Sequence, residues 1–233
     1  MYSRPPVRRP RLAPLLLLTA LPAAPARPTH AAPPVPCPAA ITFCRQTLSP
    51  NTTQVTCYER SGTGPDVPAL DLAPLACLPT LQNLTLASGE IEFILPLKLG
   101  PLTPLASLPL LTRLVLEESP IDDLAPLASL VRLQHLSIHH SHARDLRPLA
   151  RLTDLRDLDL SCTQVTDLTP LQSLQSLQKL DLTATPVRDL RPLFALPQLT
   201  WLGLSPDAAI PAPQLAALKA RHPRLTITPG RRY

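Results

Sequence analysis

The chain has little of what a nucleic-acid-binding surface is made from. Its 233 residues include only three Phe, three Tyr and one Trp, together 3% of the total, and no basic stripe is interleaved with aromatic residues. Proteins that bind DNA or RNA normally carry such a stripe, often with aromatic residues on which bases stack. We therefore predict no nucleic-acid partner.

The motifs of common catalytic sites are also missing. The sequence contains no phosphate-binding P-loop, no G-x-S-x-G nucleophile turn and no H-E-x-x-H zinc motif. It also lacks the ~20 consecutive apolar residues that a membrane-spanning helix needs. We therefore expect a protein that is not an enzyme, uses no cofactor and has no membrane span.

What the chain does contain is a 22-residue repeat. Asp123, Asp145, Asp167 and Asp189 stand 22 residues apart, and each opens a D-L-x-P-L phrase. Leucines follow each phrase at three-residue steps, and an L-x-L pair closes each period. A fixed period of about 20 to 29 residues with this texture is the signature of a leucine-rich repeat.

Each phrase of the repeat predicts a local structure. The two aliphatic residues of L-x-L point inward and the residue between them outward, because side chains alternate across a strand. The Asp is suited to accept backbone hydrogen bonds at the start of the outer turn, Pro presets φ there, and leucines spaced by three favour a 3₁₀ segment. We predict an α/β fold, a curved leucine-rich-repeat solenoid with parallel β-strands on the concave face and 3₁₀ or short helical turns on the convex face. Eight strands are expected, at 55–57, 84–86, 114–116, 136–138, 158–160, 180–182, 202–204 and 225–227.

The register is interrupted once. The phrase at 71–75 precedes its successor by 30 residues instead of 22, so an eight-residue insertion lies between Leu86 and Leu102. The segment is apolar and contains one proline. We expect an enlarged loop that packs on the solenoid.

With these phrases aligned, the chain resembles the leucine-rich repeats of bacterial internalins, which also have a period of 22 and also read L-x-x-L-x-L…I-x-D-L-x-P-L. Residues 69–205 carry the resemblance. It implies a binding module and transfers no catalytic residue. The chain departs from the family where internalins place a buried Asn, and a hydroxyl there satisfies the turn less fully than a carboxamide does. The residues at that position are Gly89, Ser119, Ser141, Thr163 and Thr185.

The amino terminus predicts export. Four arginines precede the apolar run Leu15–Leu21, and small residues follow to Ala26, which are the three parts of a secretory signal peptide. We predict a signal peptide at 1–26, with a disordered proline-rich leader as the alternative, and a Pro/Ala-rich linker at 27–36. Removing 1–26 lowers the formal net charge from +5 to +1, because the segment holds four arginines and no acid.

Cysteine usage agrees with export. Cys37, Cys44, Cys57 and Cys77 all lie before or within the first coil, where a solenoid needs a cover for its open hydrophobic end. We predict two disulfides, with the pairing left open among three possibilities and buried thiols as the alternative. Cys162 is left over.

These observations divide the chain after the leader into three parts. Residues 37–68 are predicted to form a cysteine-containing N-terminal cap, and 69–205 the leucine-rich repeats. Residues 206–233 are predicted to form a C-terminal capping repeat, with a helix over 213–221, and a basic tail.

The binding surface is predicted from the phase of the strands. Residues that flank the inward-pointing leucines stand in columns across successive coils, and these columns form a mixed polar concave face. Trp201 is the only tryptophan, and aromatic anchors dominate interface energetics; a cover over the C-terminal end of the core is its alternative role. Asp159 and Asp181 stack as like charges that a partner's Lys or Arg would complete. The candidate partner-binding residues are Trp201, Lys179, Asp181, Asp159, Asp157, His139, His135 and Glu117.

A metal site is a third and weaker hypothesis. Glu118, His140 and Cys162 are 22 residues apart and therefore adjacent on successive coils. A carboxylate, an imidazole and a thiol are possible zinc ligands. The alternative is three unrelated surface residues, and we assign no metal site by default.

The function expected from these features is that of an exported module, secreted or periplasmic, that binds a protein partner on its concave face. The principal alternative is a structural or envelope-associated spacer or assembly element without a specific soluble ligand. Saturable capture of a partner, lost on mutation of the concave face, distinguishes the two. A metal-dependent role at Glu118, His140 and Cys162 would instead show as bound metal in the purified protein.

Overall fold

The structure, a computed structural model, describes residues 37–59, 68–88 and 97–229. It begins with a hairpin of two antiparallel strands, β1 (Ile41–Phe43) and β2 (Gln46–Leu48). Cys44 and Arg45 form the two-residue turn with φ of 51° and 57°. Positive φ at both positions matches the twist of the flanking strands and allows this tight connection. The predicted signal peptide at 1–26 and linker at 27–36 lie outside the described residues.

Eight parallel strands follow and form one sheet in chain order. Each pairs in register with the residue one repeat away, so that Leu136 lies beside Leu158 and Leu158 beside Leu180. The eight predicted strands are thereby confirmed; seven begin one residue earlier than expected and the last begins one residue later. Their bounds are β3 (Gln54–Glu59), β4 (Asn83–Ser88), β5 (Arg113–Leu116), β6 (His135–Ser137), β7 (Asp157–Asp159), β8 (Lys179–Asp181), β9 (Trp201–Leu204) and β10 (Thr226–Pro229).

Six five-residue 3₁₀ segments form the outer turns, as the three-residue leucine spacing predicted. Each has proline near its start. The aspartate before five of them accepts a backbone hydrogen bond two residues on, for example from the Ala125 N–H to Asp123 Oδ1 at 2.8 Å. The segments span Ala73–Cys77, Thr103–Ser107, Ala125–Ser129, Arg147–Arg151, Thr169–Ser173 and Arg191–Ala195.

The core between sheet and outer turns is a stack of aliphatic residues, most of them leucines. Leu158 is 2% exposed and its register partners Leu136 and Leu180 are as deeply buried. Hydroxyls replace the internalin asparagine as expected: Thr163 donates to the Leu160 carbonyl at 2.6 Å and Thr185 to the Leu182 carbonyl at 2.7 Å. The fold is a curved leucine-rich-repeat solenoid, as predicted.

The described end of the insertion packs on the solenoid. Leu97 is buried, and its N–H donates to the Glu118 carbonyl at 2.9 Å. Leu99 forms a parallel bridge with Leu70. The remainder of the expected loop, residues 89–96, lies outside the described residues.

Both ends of the described solenoid carry a cover. At the amino end, disulfides join Cys37 to Cys77 and Cys44 to Cys57, which selects one of the three possible pairings. At the carboxyl end, helix α1 (Ala212–Arg221) follows β9 and precedes β10 in the chain, and its residue Leu218 is buried. Among the described residues, no helix is both long and apolar enough to cross a membrane.

Candidate functional site

Residues in and directly after five neighbouring strands, β5 to β9, line a concave depression of about 450 Å³, called the concave cleft below. All eight residues selected from the sequence line it: Glu117, His135, His139, Asp157, Asp159, Lys179, Asp181 and Trp201. Arg113, Val115 and Ser137 also line it. These three stand in the same 22-residue columns as the selected residues, so the register alone could have found them.

The outermost column of the concave cleft alternates in charge. It contains the first residue of each strand from Arg113 to Trp201. His135 Nδ1 lies 2.8 Å from Asp157 Oδ2, and Lys179 Nζ lies 3.9 Å from the same oxygen. Asp157 is therefore contacted on the cleft surface by an imidazole and by an ammonium group.

The next column contains Asp159 and Asp181, which are register partners on β7 and β8. Asp159 Oδ1 accepts from the N–H and the hydroxyl of Ser161, at 2.9 and 2.6 Å. Asp181 Oδ1 accepts from the N–H of Thr183 at 2.9 Å and also from its hydroxyl. Each carboxylate thus fixes the chain where its strand ends, through its Oδ1.

Asp181 differs from the expectation that the middle residue of L-x-L points to solvent. Asp159 is half-buried, but Asp181 is only 5% exposed. The cause is its register partner on β9, which is Gly203. A methyl group on Gly203 would lie 2.8 Å from Asp181 Cγ and 2.9 Å from Cη2 of Trp201. Because glycine has no side chain, the Asp181 carboxylate and the Trp201 ring can both lie over its backbone.

Trp201 therefore lies on the concave surface over its own strand. The alternative role, a cover for the end of the core, does not fit this position, because β10 extends the sheet beyond β9. Its half-buried ring forms one wall of the concave cleft next to Asp181.

His139 closes the opposite side of the concave cleft. It is 7% exposed, and its Nε2 lies 3.4 Å from Glu117 Oε1. Burial alone would lower the pKa of His139. The hydrogen bond and charge of Glu117, with the charges of Asp159 and Glu118, outweigh burial and hold the pKa above its ordinary value. The folded chain thus holds the proton of His139 more tightly than an unperturbed imidazole would.

The metal hypothesis at Glu118, His140 and Cys162 is not supported. In the described residues, no group of three or more His, Cys, Asp or Glu side chains is arranged to hold a metal ion. The three residues share a left-handed backbone, with φ of 53°, 55° and 54°, at the position where the chain leaves each strand. Burial, and the nearby charges of Asp159 and Asp181, also raise the pKa of the Cys162 thiol, which disfavours the thiolate that zinc requires.

Comparisons with known proteins agree with this fold. A family model for leucine-rich repeats in two copies matches residues 153–195. The structure is similar to that of internalin C2 from Listeria monocytogenes, with 26% identity, a TM-score of 0.64, and coverage of 79% of this chain and 75% of that one. It is also similar in fold to another internalin of that organism, InlF, with 23% identity, a TM-score of 0.60 and coverage of 78% of this chain, which spans 50% of the length of InlF. No curated sequence is significantly similar to the chain.

Proposed function

We propose that this chain, whose leucine-rich repeats are similar to those of internalins, is a protein-binding module and that its concave cleft contacts the partner. One observation carries the proposal. Five strands bring charged, imidazole and aromatic side chains, including the only tryptophan, into one depression. Charged pairs around an aromatic anchor are the chemistry of a specific interface, in which a few residues dominate the binding energy.

The proposal assigns no catalytic step and no cofactor. Several polar groups of the concave cleft are held by neighbouring groups, as with Asp157 by His135 or Asp181 by Thr183. Such pairs preorganise a surface for recognition, which lowers the ordering cost of binding.

We further propose that the module is exported, to the periplasm or outside the cell. The two disulfides support this, because such bonds persist in oxidising compartments and are rare in the cytosol. A cleaved signal peptide at 1–26 is part of the proposal. Sequencing the amino terminus of the protein recovered outside the cytosol tests it, and a chain retained in the cytosol with residues 1–26 intact would contradict it.

The decisive experiment is partner capture from the envelope and medium of the source cell, with residues 27–233 as bait. Trp201→Ala is expected to weaken capture by ~2 kcal/mol or more while the melting temperature stays nearly unchanged, because the ring lies on the surface and outside the leucine stack. Val131→Ala is the matched control, since it removes a side chain that is 52% exposed and does not line the cleft.

The two variants also separate binding from a purely structural role. A spacer or assembly element would show no saturable capture that depends on Trp201. If Trp201→Ala lowers the melting temperature while the folded fraction still captures the partner, the concave cleft is not the interface.

A further inference from the structure

In the concave cleft, hydrogen-bond donors of the described residues reach only one of the two carboxylate oxygens of Asp181. Asp181 is 5% exposed, yet only its Oδ1 is engaged, by the N–H and hydroxyl of Thr183. Within the described residues, no donor bonds Oδ2 and no basic nitrogen lies within ion-pair distance of Asp181. Asp181 lines the concave cleft, and its Oδ2 is accessible there, so this oxygen can accept from a cationic group of a partner.

The neighbouring cations of the described residues do not supply such a group. Lys179 precedes Asp181 by two residues, but its side chain is 60% exposed and its Nζ lies toward Asp157, at 3.9 Å from Oδ2. Arg113 also lines the concave cleft, but it stands three strands away on β5. Four carboxylates and two permanent cations line the cleft in all, which leaves it negative when its histidines are neutral.

The surroundings of the Asp181 carboxylate restrict the shape of the cation. Asp159 is the register partner on β7, with parallel strands ~4.8 Å apart, so a second carboxylate stands beside Asp181. On the other side, the Trp201 ring converges with the Asp181 carboxylate over Gly203. The group that fits is planar, cationic and able to donate several hydrogen bonds at one edge while a face stacks on an aromatic ring.

A guanidinium group meets these conditions better than an ammonium group. It presents donors in a rigid fork that matches carboxylates, it stacks on aromatic faces, and it is more weakly hydrated. We propose that the concave cleft receives an arginine side chain of the partner, which donates to Oδ2 of Asp181 and to Asp159 and stacks on Trp201. This inference rests on the proposed function and adds the chemistry that the cleft recognises.

The test uses the single tryptophan as its reporter. The probe is a blocked pentapeptide with one arginine among glycines, titrated into the full-length protein at low salt while the fluorescence of Trp201 is followed. A saturable change is expected with the arginine peptide. Citrulline has nearly the shape of arginine without its charge, so its peptide is expected to give no saturation, and the lysine peptide is expected to bind several-fold more weakly.

Two variants assign the signal to the carboxylates. In Asp181→Asn, the side-chain oxygen still accepts from Thr183 while Oδ2 loses its charge, so folding is preserved and affinity for the arginine peptide is expected to fall about tenfold or more. Asp159→Asn preserves the bonds from Ser161 in the same way and should weaken binding in the same direction.

Asp167→Asn is the matched control. It removes the same charge from an outer turn of the same region, where Asp167 Oδ1 accepts from the Thr169 N–H at 2.8 Å, and it is expected to leave the peptide affinity unchanged.

The proposal is overturned if the citrulline or lysine peptide binds as tightly as the arginine peptide, or if Asp181→Asn has no more effect than Asp167→Asn. It is also overturned if Arg231→Gln with Arg232→Gln alters the Trp201 signal before peptide is added and strengthens peptide binding, because the occupant is then the chain's own tail. If the arginine peptide does not change the fluorescence of Trp201 but partner capture still depends on Trp201, this inference is wrong and the proposed function stands. If the peptide binds but partner capture does not depend on Trp201, both are wrong.

Discussion

The two ends of the solenoid face the same problem and solve it differently. Each end exposes the side of a leucine stack that has no further coil to cover it. At the amino end, a hairpin of two three-residue strands buries Ile41 and Phe43, and two disulfides fasten it. At the carboxyl end, the ten-residue helix α1 buries Leu218, and the side chain of Gln214 accepts from the Leu190 N–H at 2.9 Å.

The difference follows from how much apolar surface each cover can bury. Small segments that bury little apolar surface need covalent support, whereas a helix of three turns that packs on the last coil is held by side-chain contacts. The amino end is therefore expected to be stabilised mainly by its cross-links, and the carboxyl end by packing. The following predictions test that difference.

The largest effect is expected from a charge placed between the two ends. Leu158→Asp puts a carboxylate at a position that is 2% exposed in the middle of the stack, at a cost of more than about 4 kcal/mol. Both ends should then unfold together in a urea titration followed by circular dichroism. Arg156→Asp, at an exposed neighbouring position, should change stability by only about 0.5 kcal/mol. Survival of either end as a separate folded unit would show that the coils are less cooperative than the continuous core implies.

Opening the amino-terminal cover is expected to have the next largest effect. Cys37→Ser with Cys77→Ser removes a link across 40 residues, worth roughly 4 kcal/mol by loop entropy, whereas Cys44→Ser with Cys57→Ser removes a link across 13, worth roughly 3 kcal/mol. Chemical unfolding of the two double variants measures the order. The mass of the oxidised protein should be lower by four hydrogens than that of the reduced chain.

Cys162 provides an internal control for the cross-links. It is the free cysteine of the described residues, and its raised pKa keeps it mostly as the thiol. It alone should be alkylated in the oxidised protein, and slowly near neutral pH. Four or five alkylated cysteines in the protein recovered from its native compartment would contradict the covalent account of the amino end.

The carboxyl-terminal cover should respond to loss of packing. Leu218→Ala removes the fully buried side chain of α1 and is expected to cost about 3 kcal/mol, which thermal unfolding would measure. Lys219→Ala, on the exposed side of the same helix, is the control. Equal effects of the two variants would mean that α1 covers the core without stabilising it.

The smallest effect on folding stability is expected from a change of pH, and its sign is opposite at His222 and at His139. Burial lowers the pKa of His222, the residue that follows α1; the charge of Arg221 lowers it further, and a bond to the Leu193 backbone opposes the shift. The contribution of His222 to folding stability is therefore present above its unfolded pKa and is lost as pH falls through its folded pKa. The raised pKa of His139 in the cleft makes its contribution largest below its unfolded pKa and removes it as pH rises.

Unfolding measurements between about pH 5.5 and pH 8 distinguish these two cases. The stability lost on His222→Gln should shrink as pH falls through this range, and the stability lost on His139→Gln should grow. If both differences change in the same direction, the account of one of the two environments is wrong.

Much of the fold could be predicted from the sequence because the repeat is periodic in two ways at once. The L-x-L alternation fixes which face of each strand is buried, and the 22-residue period fixes which residues are neighbours, as with Leu136, Leu158 and Leu180. The eight strands, the outer 3₁₀ turns and the aspartate caps such as Asp123 follow from these two periods. The same register grouped the eight selected residues, all of which line the concave cleft.

Features outside the repeated strands could not be predicted in this way. The cysteine pairing depends on how a hairpin folds back on the first coil, and the side-chain directions at Glu118, His140 and Cys162 depend on the left-handed backbone that follows each strand. In both cases the missing information is a chain direction outside the repeated strands.

Local alternation and a constant period are sufficient to derive the solenoid, its strands and the members of the concave columns from the amino-acid sequence. The environment of each column depends on how the coils pack in three dimensions. Gly203 lets the Trp201 ring and the Asp181 carboxylate converge, which buries a charge that the strand pattern would have placed in solvent. Burial, charge balance and pKa depend on the distances between side chains from different coils, and these distances are set only when the coils pack.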